Sequence, residues 1–261
     1  MLITATDIIS RSIKVYRDNM SLMFKYAGLI LIPATLIMFA GYSLAVFIVF
    51  TNSIPLGFGL YGLLVLLLSL VGSVISLSMI RVIAALYQNQ PAPNMITDLK
   101  SALGLLVPAI LISIISGLAV IGGLILLVVP GVIFAVWFIF SLHALMLDDK
   151  HTVDALKYSK SLVKGRWGEV LWKLVVPTLA FALIFAIAQW IFRMMLGIDE
   201  GMLARLTIRT GIYSILTVFI SALMAPITTA VTTILYIELK KTPVGSADIE
   251  EVEEIEEVPS K

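Results

Sequence analysis

Residues 130–173 read PGVIFAVWFIFSLHALMLDDKHTVDALKYSKSLVKGRWGEVLWK, and this stretch contains the unit from which the fold is predicted. It begins with an apolar segment marked by a proline, turns at an acidic corner, and continues into a short basic segment that ends at Gly165 and Trp167. A second apolar segment follows directly. We expect the same arrangement, an amphipathic surface helix leading into an apolar helix, elsewhere in the chain.

The chain is far more apolar than a soluble protein. Of its 261 residues, 60% are hydrophobic and 13% are charged, whereas soluble domains are about half apolar and about a quarter charged. No charged side chain lies between Lys25 and Arg81, and His143 is the only ionisable group between Lys100 and Asp148. Because one membrane-spanning helix needs about 20 apolar residues, each gap has room for two spans.

The sequence therefore predicts an all-α, polytopic membrane protein with six transmembrane helices that form three hairpins. Interfacial amphipathic helices precede spans 1 and 5. The predicted domain is 1–242, with spans at approximately 26–50, 57–80, 101–122, 126–147, 170–192 and 212–237. Residues 243–261 are predicted to form an acidic, disordered cytoplasmic tail, because the segment 248–257, DIEEVEEIEE, brings mutually repelling carboxylates together.

The turn between spans 3 and 4 is placed between Gly122 and Gly131. The length of the two spans favours a turn at Gly122 and Gly123, since a span that begins at Pro130 would be short. A proline, however, suits the first turn of a helix. The residues alone do not decide between these positions.

The Lys and Arg side chains fall mostly on one side of the six spans. Only Arg193, Arg205 and Arg209 fall on the other side. Because Lys and Arg near span ends are retained in the cytoplasm, both termini are predicted to be cytoplasmic.

Residues 6–23 predict an amphipathic helix on the cytoplasmic surface. Its apolar residues recur at intervals of three and four, and its cations lie on another face. The predicted apolar face consists of Ile9, Ile13, Tyr16, Met20 and Met23.

A cation followed by a proline recurs three times: Lys25 and Pro33, Lys100 and Pro108, Lys173 and Pro177. This recurrence predicts that the three hairpins are copies of one unit. The alternative is that surface helices and prolines are ordinary features of membrane proteins.

The strongest candidate site is the basic helix after Thr152. Thr152 can cap the start of this helix, and Gly165 can end it. Its cations share one face, and an Arg–Trp pair follows at the interface. The candidate contacts for anionic lipid or a partner are Lys157, Lys160, Lys164, Arg166 and Trp167. The alternative is simple membrane anchoring and setting of topology. The acidic tail is a further candidate to fold back onto this stripe.

Other site types find little support. A metal site could be built from His143, Asp148, Asp149, His151 and Asp154. We favour a solvated acidic corner, because at least three of these side chains would have to converge on one ion. The predicted spans contain no carboxylate, which argues against ion-coupled transport. We expect no cofactor, no metal and no nucleic-acid partner.

Several short motifs resemble a known family. They are Pro130-Gly131-Val132-Ile133-Phe134, the corner at Asp148 and Asp149, Asp154-Ala155-Leu156-Lys157-Tyr158-Ser159, Gly165-Arg166-Trp167, and Leu235-Tyr236-Ile237-Glu238-Leu239-Lys240. Together they resemble the six-span proteins related to the membrane domain of glycerophosphoryl diester phosphodiesterases. The resemblance extends to about Thr242. It implies a six-span fold, which some members join to a soluble phosphodiesterase barrel. Because the similar proteins are bacterial and archaeal, it also implies a location in the plasma (inner) membrane of a prokaryote.

This chain departs from the enzyme form of that family, because a barrel needs roughly 200 residues or more and no segment between or beside the spans is that long. We therefore expect a membrane module and not an enzyme: a lipid-interacting or scaffolding protein whose basic face contacts anionic headgroups or a soluble or membrane protein partner. The alternative is a transporter or facilitator of a small apolar or amphipathic molecule. The prolines at 33, 108, 177 and 226 would break helices at depth to form its path.

Overall fold

The computed structural model describes residues 2–199 and 207–243. In this part of the chain every regular element is a helix. We number them α1 (Ala5–Asp18), α2 (Met20–Thr51), α3 (Ile54–Tyr87), α4 (Met95–Gly104), α5 (Leu106–Leu126), α6 (Val128–Phe138), α7 (Ser141–Leu147), α8 (Thr152–Val163), α9 (Trp167–Met195) and α10 (Ile208–Lys241).

The predicted count of six spans is confirmed within the described residues. Six candidate spans are long and apolar enough to cross a membrane: α2, α3, α5, α6 together with α7, α9 and α10. Their apolar side chains are largely exposed, as lipid-facing residues are, so the chain is a multi-pass membrane protein. The predicted tail lies outside the described residues, apart from its first residue.

Each pair of consecutive spans is in contact. Helix α2 packs on α3, α5 on α6, and α9 on α10. A short helix precedes the first member of each pair: α1 before α2, α4 before α5, and α8 before α9. The copying of one unit three times stays a prediction, since the order of helices alone does not establish it.

The core lies at one end of the bundle. Apart from Gly57, the buried residues of α3 lie between Ile75 and Ala84, and those of α10 lie mainly between Ala222 and Leu239. Tyr26, near the start of α2, belongs to the same cluster. The ends of α2 and α3 near their connection are open instead, with Phe50 92% exposed. The bundle is therefore densely packed at its charged end.

The turn between spans 3 and 4 lies within the predicted interval but not at the favoured glycines. Helix α5 continues to Leu126. Leu127 separates α5 from α6, because its backbone is extended, with φ −166° and ψ 156°. Pro130 lies in the first turn of α6, where its missing N–H costs nothing. Gly123 has another role: a Cβ there would lie 2.8 Å from the Gly131 Cα, so the two glycines let α5 and α6 touch.

The predicted helix over 6–23 is two helices, and the buried face of the first lies one residue away from the predicted apolar face, whose contact with the membrane surface stays a prediction. Helix α1 ends at Asp18, and the Asn19 side chain donates to the Val15 carbonyl before α2 begins. The buried residues of α1 are Ile8, Ser12 and Val15. On the predicted apolar face, Ile13 and Met20 are each 46% exposed, whereas Met23 is buried. Because α1 packs on α9 and α10, tertiary contacts select a face one residue away from the periodic one.

Candidate lipid-binding face and the polar networks beside it

The basic helix α8 forms where predicted, but its start differs. Thr152 is the first helical residue, with φ +25°, and does not cap the helix. His151 takes the capping position without a side-chain hydrogen bond. The predicted end is confirmed, because Gly165 adopts φ +87°, a left-handed conformation that glycine accommodates without strain.

The two faces of α8 separate as predicted. Its buried face consists of Ala155, Leu156, Ser159, Leu162 and Val163. On the opposite side, the side chains of Lys157 and Lys164 are exposed. The Lys160 ammonium lies 4.3 Å from the centre of the Trp137 ring, a cation–π contact that ties this lysine to span 4. Trp167 is 37% exposed at the start of α9.

Ser159 explains how α8 is held in place. Span 4 is interrupted between α6 and α7, and the Ser159 hydroxyl enters this break. It donates to the Trp137 carbonyl at 2.6 Å and accepts from the Phe140 N–H at 3.2 Å. One side chain thus satisfies backbone groups that an interrupted helix leaves free. The two hydrogen bonds of Ser159 therefore link the position of α8, with its basic face, to the break in span 4.

Arg166 is occupied within the chain. Its guanidinium donates to the Leu239 carbonyl, in the last turn of α10, at 3.1 Å and to the carbonyl of Thr242, which directly follows the helix, at 2.6 Å. It also donates to the Leu162 carbonyl at 3.0 Å. Burial lowers the pKa of Arg166 from its ordinary value, against the attraction of Glu169. The geometry gives Arg166 the role of a clasp between the α8–α9 junction and the end of α10.

Sequence reasoning missed a buried network centred on Asp98. Asp98 lies in the first turn of α4, which begins at Met95 with Asn94 as its cap. The Asp98 side chain is 1% exposed and lies 2.9 Å from the Arg81 guanidinium. It also accepts a hydrogen bond at 2.5 Å from Ser78, whose hydroxyl contacts that of Tyr26. The network joins α2, α3 and α4.

A second network surrounds Asp148, at the acidic corner. Its carboxylate accepts hydrogen bonds from Tyr236 and from the Lys240 ammonium, both on α10. His143 packs against the Tyr236 ring, with centroids 5.4 Å apart, and is buried. Among the described residues, no three His, Asp or Glu side chains gather as a metal ion would require. The acidic corner therefore anchors α10.

A third network joins α1, α3 and α10. The Arg11 guanidinium donates to the Tyr87 hydroxyl at 2.5 Å, and Tyr87 donates to Glu238 at 2.7 Å. Lys241 also donates to Glu238. The hydrogen bond to Tyr87 raises the pKa of Arg11. The usable sequence signal was that Tyr87, Glu238 and Lys241 lie near the ends of otherwise apolar helices.

The second half of the chain matches a known protein family. The profile of the membrane domain of glycerophosphoryl diester phosphodiesterase matches residues 104–256, more than half of the chain. The chain belongs to this family. No curated protein and no solved structure matches it.

The matched part of this glycerophosphoryl diester phosphodiesterase membrane domain begins at the last residue of α4 and includes α5 to α10. It therefore contains α8, its Ser159 anchor and the Arg166 clasp, together with the network at Asp148. The Asp98 network lies before the matched range. The family assignment agrees with the resemblance drawn from the short motifs, and it concerns a membrane domain rather than a hydrolase barrel.

Proposed function

We propose that the protein is a non-catalytic membrane module that binds anionic lipid headgroups through α8. The observation that carries the proposal is the arrangement of this helix: its apolar face is anchored on span 4, while Lys157 and Lys164 remain exposed. Trp167 adds an exposed aromatic ring of the kind that favours the membrane interface. Each cation near an anionic leaflet contributes about 1 kcal/mol. A soluble or membrane protein with an acidic surface is a partner that the same face would accept.

The proposal places both termini in the cytoplasm of a prokaryotic cell, with the protein in the plasma membrane. Two observations support this orientation. The cations crowd at one side of the spans, and α1 packs against α10, whose last turn holds the Arg11 partner Glu238. Both ends of the described chain therefore lie on the same side, the one that the positive-inside rule assigns to the cytoplasm.

The test is the selectivity of the protein for anionic lipid. We expect the triple substitution Lys157→Glu, Lys160→Glu, Lys164→Glu to reduce the association of spin-labelled phosphatidylglycerol by about tenfold at low salt, relative to phosphatidylcholine. The matched control reverses Arg17, Lys25 and Lys100, which are exposed cations outside α8. Unchanged selectivity in the α8 variant would overturn the proposal, as would an equal loss in the control.

A second candidate function is the movement of a small amphipathic molecule. A cavity of about 630 Å³ lies between α2, α3, α5 and α7. Its lining combines apolar side chains with four hydroxyls, those of Ser69, Ser73, Ser76 and Ser113. Such a mixture suits a mainly apolar ligand with one polar group. In the same preparations, Ser76→Leu would displace a bound amphipathic molecule while leaving phosphatidylglycerol selectivity intact if this cavity is the functional site.

A further inference from the structure

Two adjoining clefts open at the charged end of the bundle, on either side of the turn that follows α3. The larger, of about 820 Å³, lies between α1 and the ends of α3 and α10. The smaller, of about 450 Å³, lies between α3, α7 and α10. Gln88, Gln90 and Lys241 line both clefts. Volumes of this size are typical of ligand sites.

The larger cleft carries a surplus of positive charge. Arg11 and Lys241 share one carboxylate, that of Glu238. Lys14 is exposed and pairs with no carboxylate among the described residues. Asp18, the one acidic side chain among the described lining residues, is already paired with Arg17. The cleft therefore favours an anion.

The walls of the cleft also supply hydrogen-bond donors. The side-chain amides of Asn19, Gln88, Asn89 and Gln90 line it alongside the cations. Ammonium, guanidinium and amide groups together match carboxylates, each of which accepts several hydrogen bonds. The exposed lysines of α8 would contact a ligand from one side only, whereas the walls of this cleft would contact an acidic ligand from several sides.

The chain itself carries an acidic segment close to this cleft. Helix α10 ends at Lys241, which lines the cleft, and the acidic residues 248–257 follow within a few positions. Because an extended chain advances at most about 3.6 Å per residue, the segment begins within about 25 Å of Lys241. A short tether of this kind gives an effective concentration in the millimolar range, which lets even weak ion pairs hold the segment.

We propose that residues 248–257 occupy the cleft between α1 and the ends of α3 and α10, with their carboxylates facing Arg11, Lys14 and Lys241. The α8 stripe is then left free for lipid. The proposal is independent of lipid binding by α8, because it concerns a contact within one chain. An acidic partner protein or an anionic headgroup in the same cleft would exclude the segment, and the test distinguishes these cases.

The test uses the absence of cysteine from the natural chain. One variant carries Gln90→Cys with Glu254→Cys, and the matched control carries Lys164→Cys with Glu254→Cys. In neutral lipid vesicles at low salt, we expect the first pair to form a disulfide several-fold faster than the second. In about 0.5 M salt, where charge attraction reaches only a few ångström, the advantage should disappear.

A charge reversal in the cleft completes the test. Adding Lys14→Glu to the Gln90–Glu254 pair should slow cross-linking several-fold, whereas Lys100→Glu, at an exposed lysine outside both clefts, should not. Equal cross-linking of the two pairs, faster cross-linking at position 164, or insensitivity to salt would overturn the proposal. Loss of cross-linking when anionic lipid is added at low salt would also overturn it, in favour of a headgroup site.

Discussion

At the scale of single residues, Asp98 makes the sharpest prediction. It pairs with Arg81 and accepts from Ser78 inside the packed end of the bundle. Removing one partner of a buried pair leaves the other charge uncompensated, at a cost of about 3–5 kcal/mol when both are fully buried. Because the Arg81 side chain is 31% exposed, we expect Asp98→Asn to destabilise the protein by about 2 kcal/mol, measured as thermal unfolding in detergent.

Asp18→Asn is the matched control for this change. Asp18 also pairs with an arginine, but the two side chains are 46% and 71% exposed. An exposed pair contributes at most about 1 kcal/mol and often nothing measurable, so the unfolding temperature should barely move. Equal effects of the two substitutions would mean that the Asp98 network does not stabilise the bundle.

The Asp98 pair also shows what a sequence cannot reveal at this scale. The gap without charge between Lys25 and Arg81 predicted two spans correctly, because hydrophobicity is a local property. Arg81 and Asp98, by contrast, are joined only by the way α4 folds back on α3. The hydrogen bonds of Arg166 likewise reach Leu239 and Thr242, more than seventy residues away, and its contact with lipid or a partner stays a prediction. Such pairings depend on tertiary structure.

At the scale of elements, the contact between α5 and α6 depends on two glycines. A Cβ on Gly131 would lie 2.8 Å from the Leu124 backbone nitrogen, which cannot move aside as a side-chain end can. We therefore expect Gly131→Ala to destabilise the protein by about 1–3 kcal/mol, even though alanine favours helices. The measurement is again the unfolding temperature in detergent.

Gly122 provides the comparison, since it lies in the same helix as Gly123 and a Cβ there would meet nothing within 4 Å. Gly122→Ala should leave stability unchanged or raise it by up to about 1 kcal/mol. If both substitutions behave alike, the close approach of the helices is not what requires glycine at position 131.

The same pair of helices shows why element boundaries were harder to predict than elements. The length of the two spans favoured a turn at Gly122 and Gly123, but both residues lie inside α5, and Gly123 serves the close packing against α6. The true turn is at Leu127, a residue with no turn preference, held extended between two helices. In α1, likewise, burial follows contacts with α9 and α10 and not the strongest apolar spacing.

At the scale of the whole molecule, the packed end and the charged end coincide. Helices α3 and α10 each contain 34 residues, so each is about 51 Å long, whereas the hydrocarbon core is about 30 Å thick. Helix α3 is free of charge until Arg81. Its last turns, with the networks and clefts around them, therefore extend past the apolar slab into the headgroup region or the water beyond it.

The orientation of the whole bundle can be tested with single cysteines. The natural chain has none and therefore serves as the unlabelled control. Thr51, the last residue of α2, and Gln90, three residues after α3, are both exposed and lie beside opposite ends of α3. With the charged end in the cytoplasm, a membrane-impermeant maleimide should label Thr51→Cys in intact cells, and Gln90→Cys only after permeabilisation. The reverse pattern would place the basic face outside the cell. The anionic inner leaflet would then be out of reach of α8, and the lipid-binding proposal would lose its physical basis.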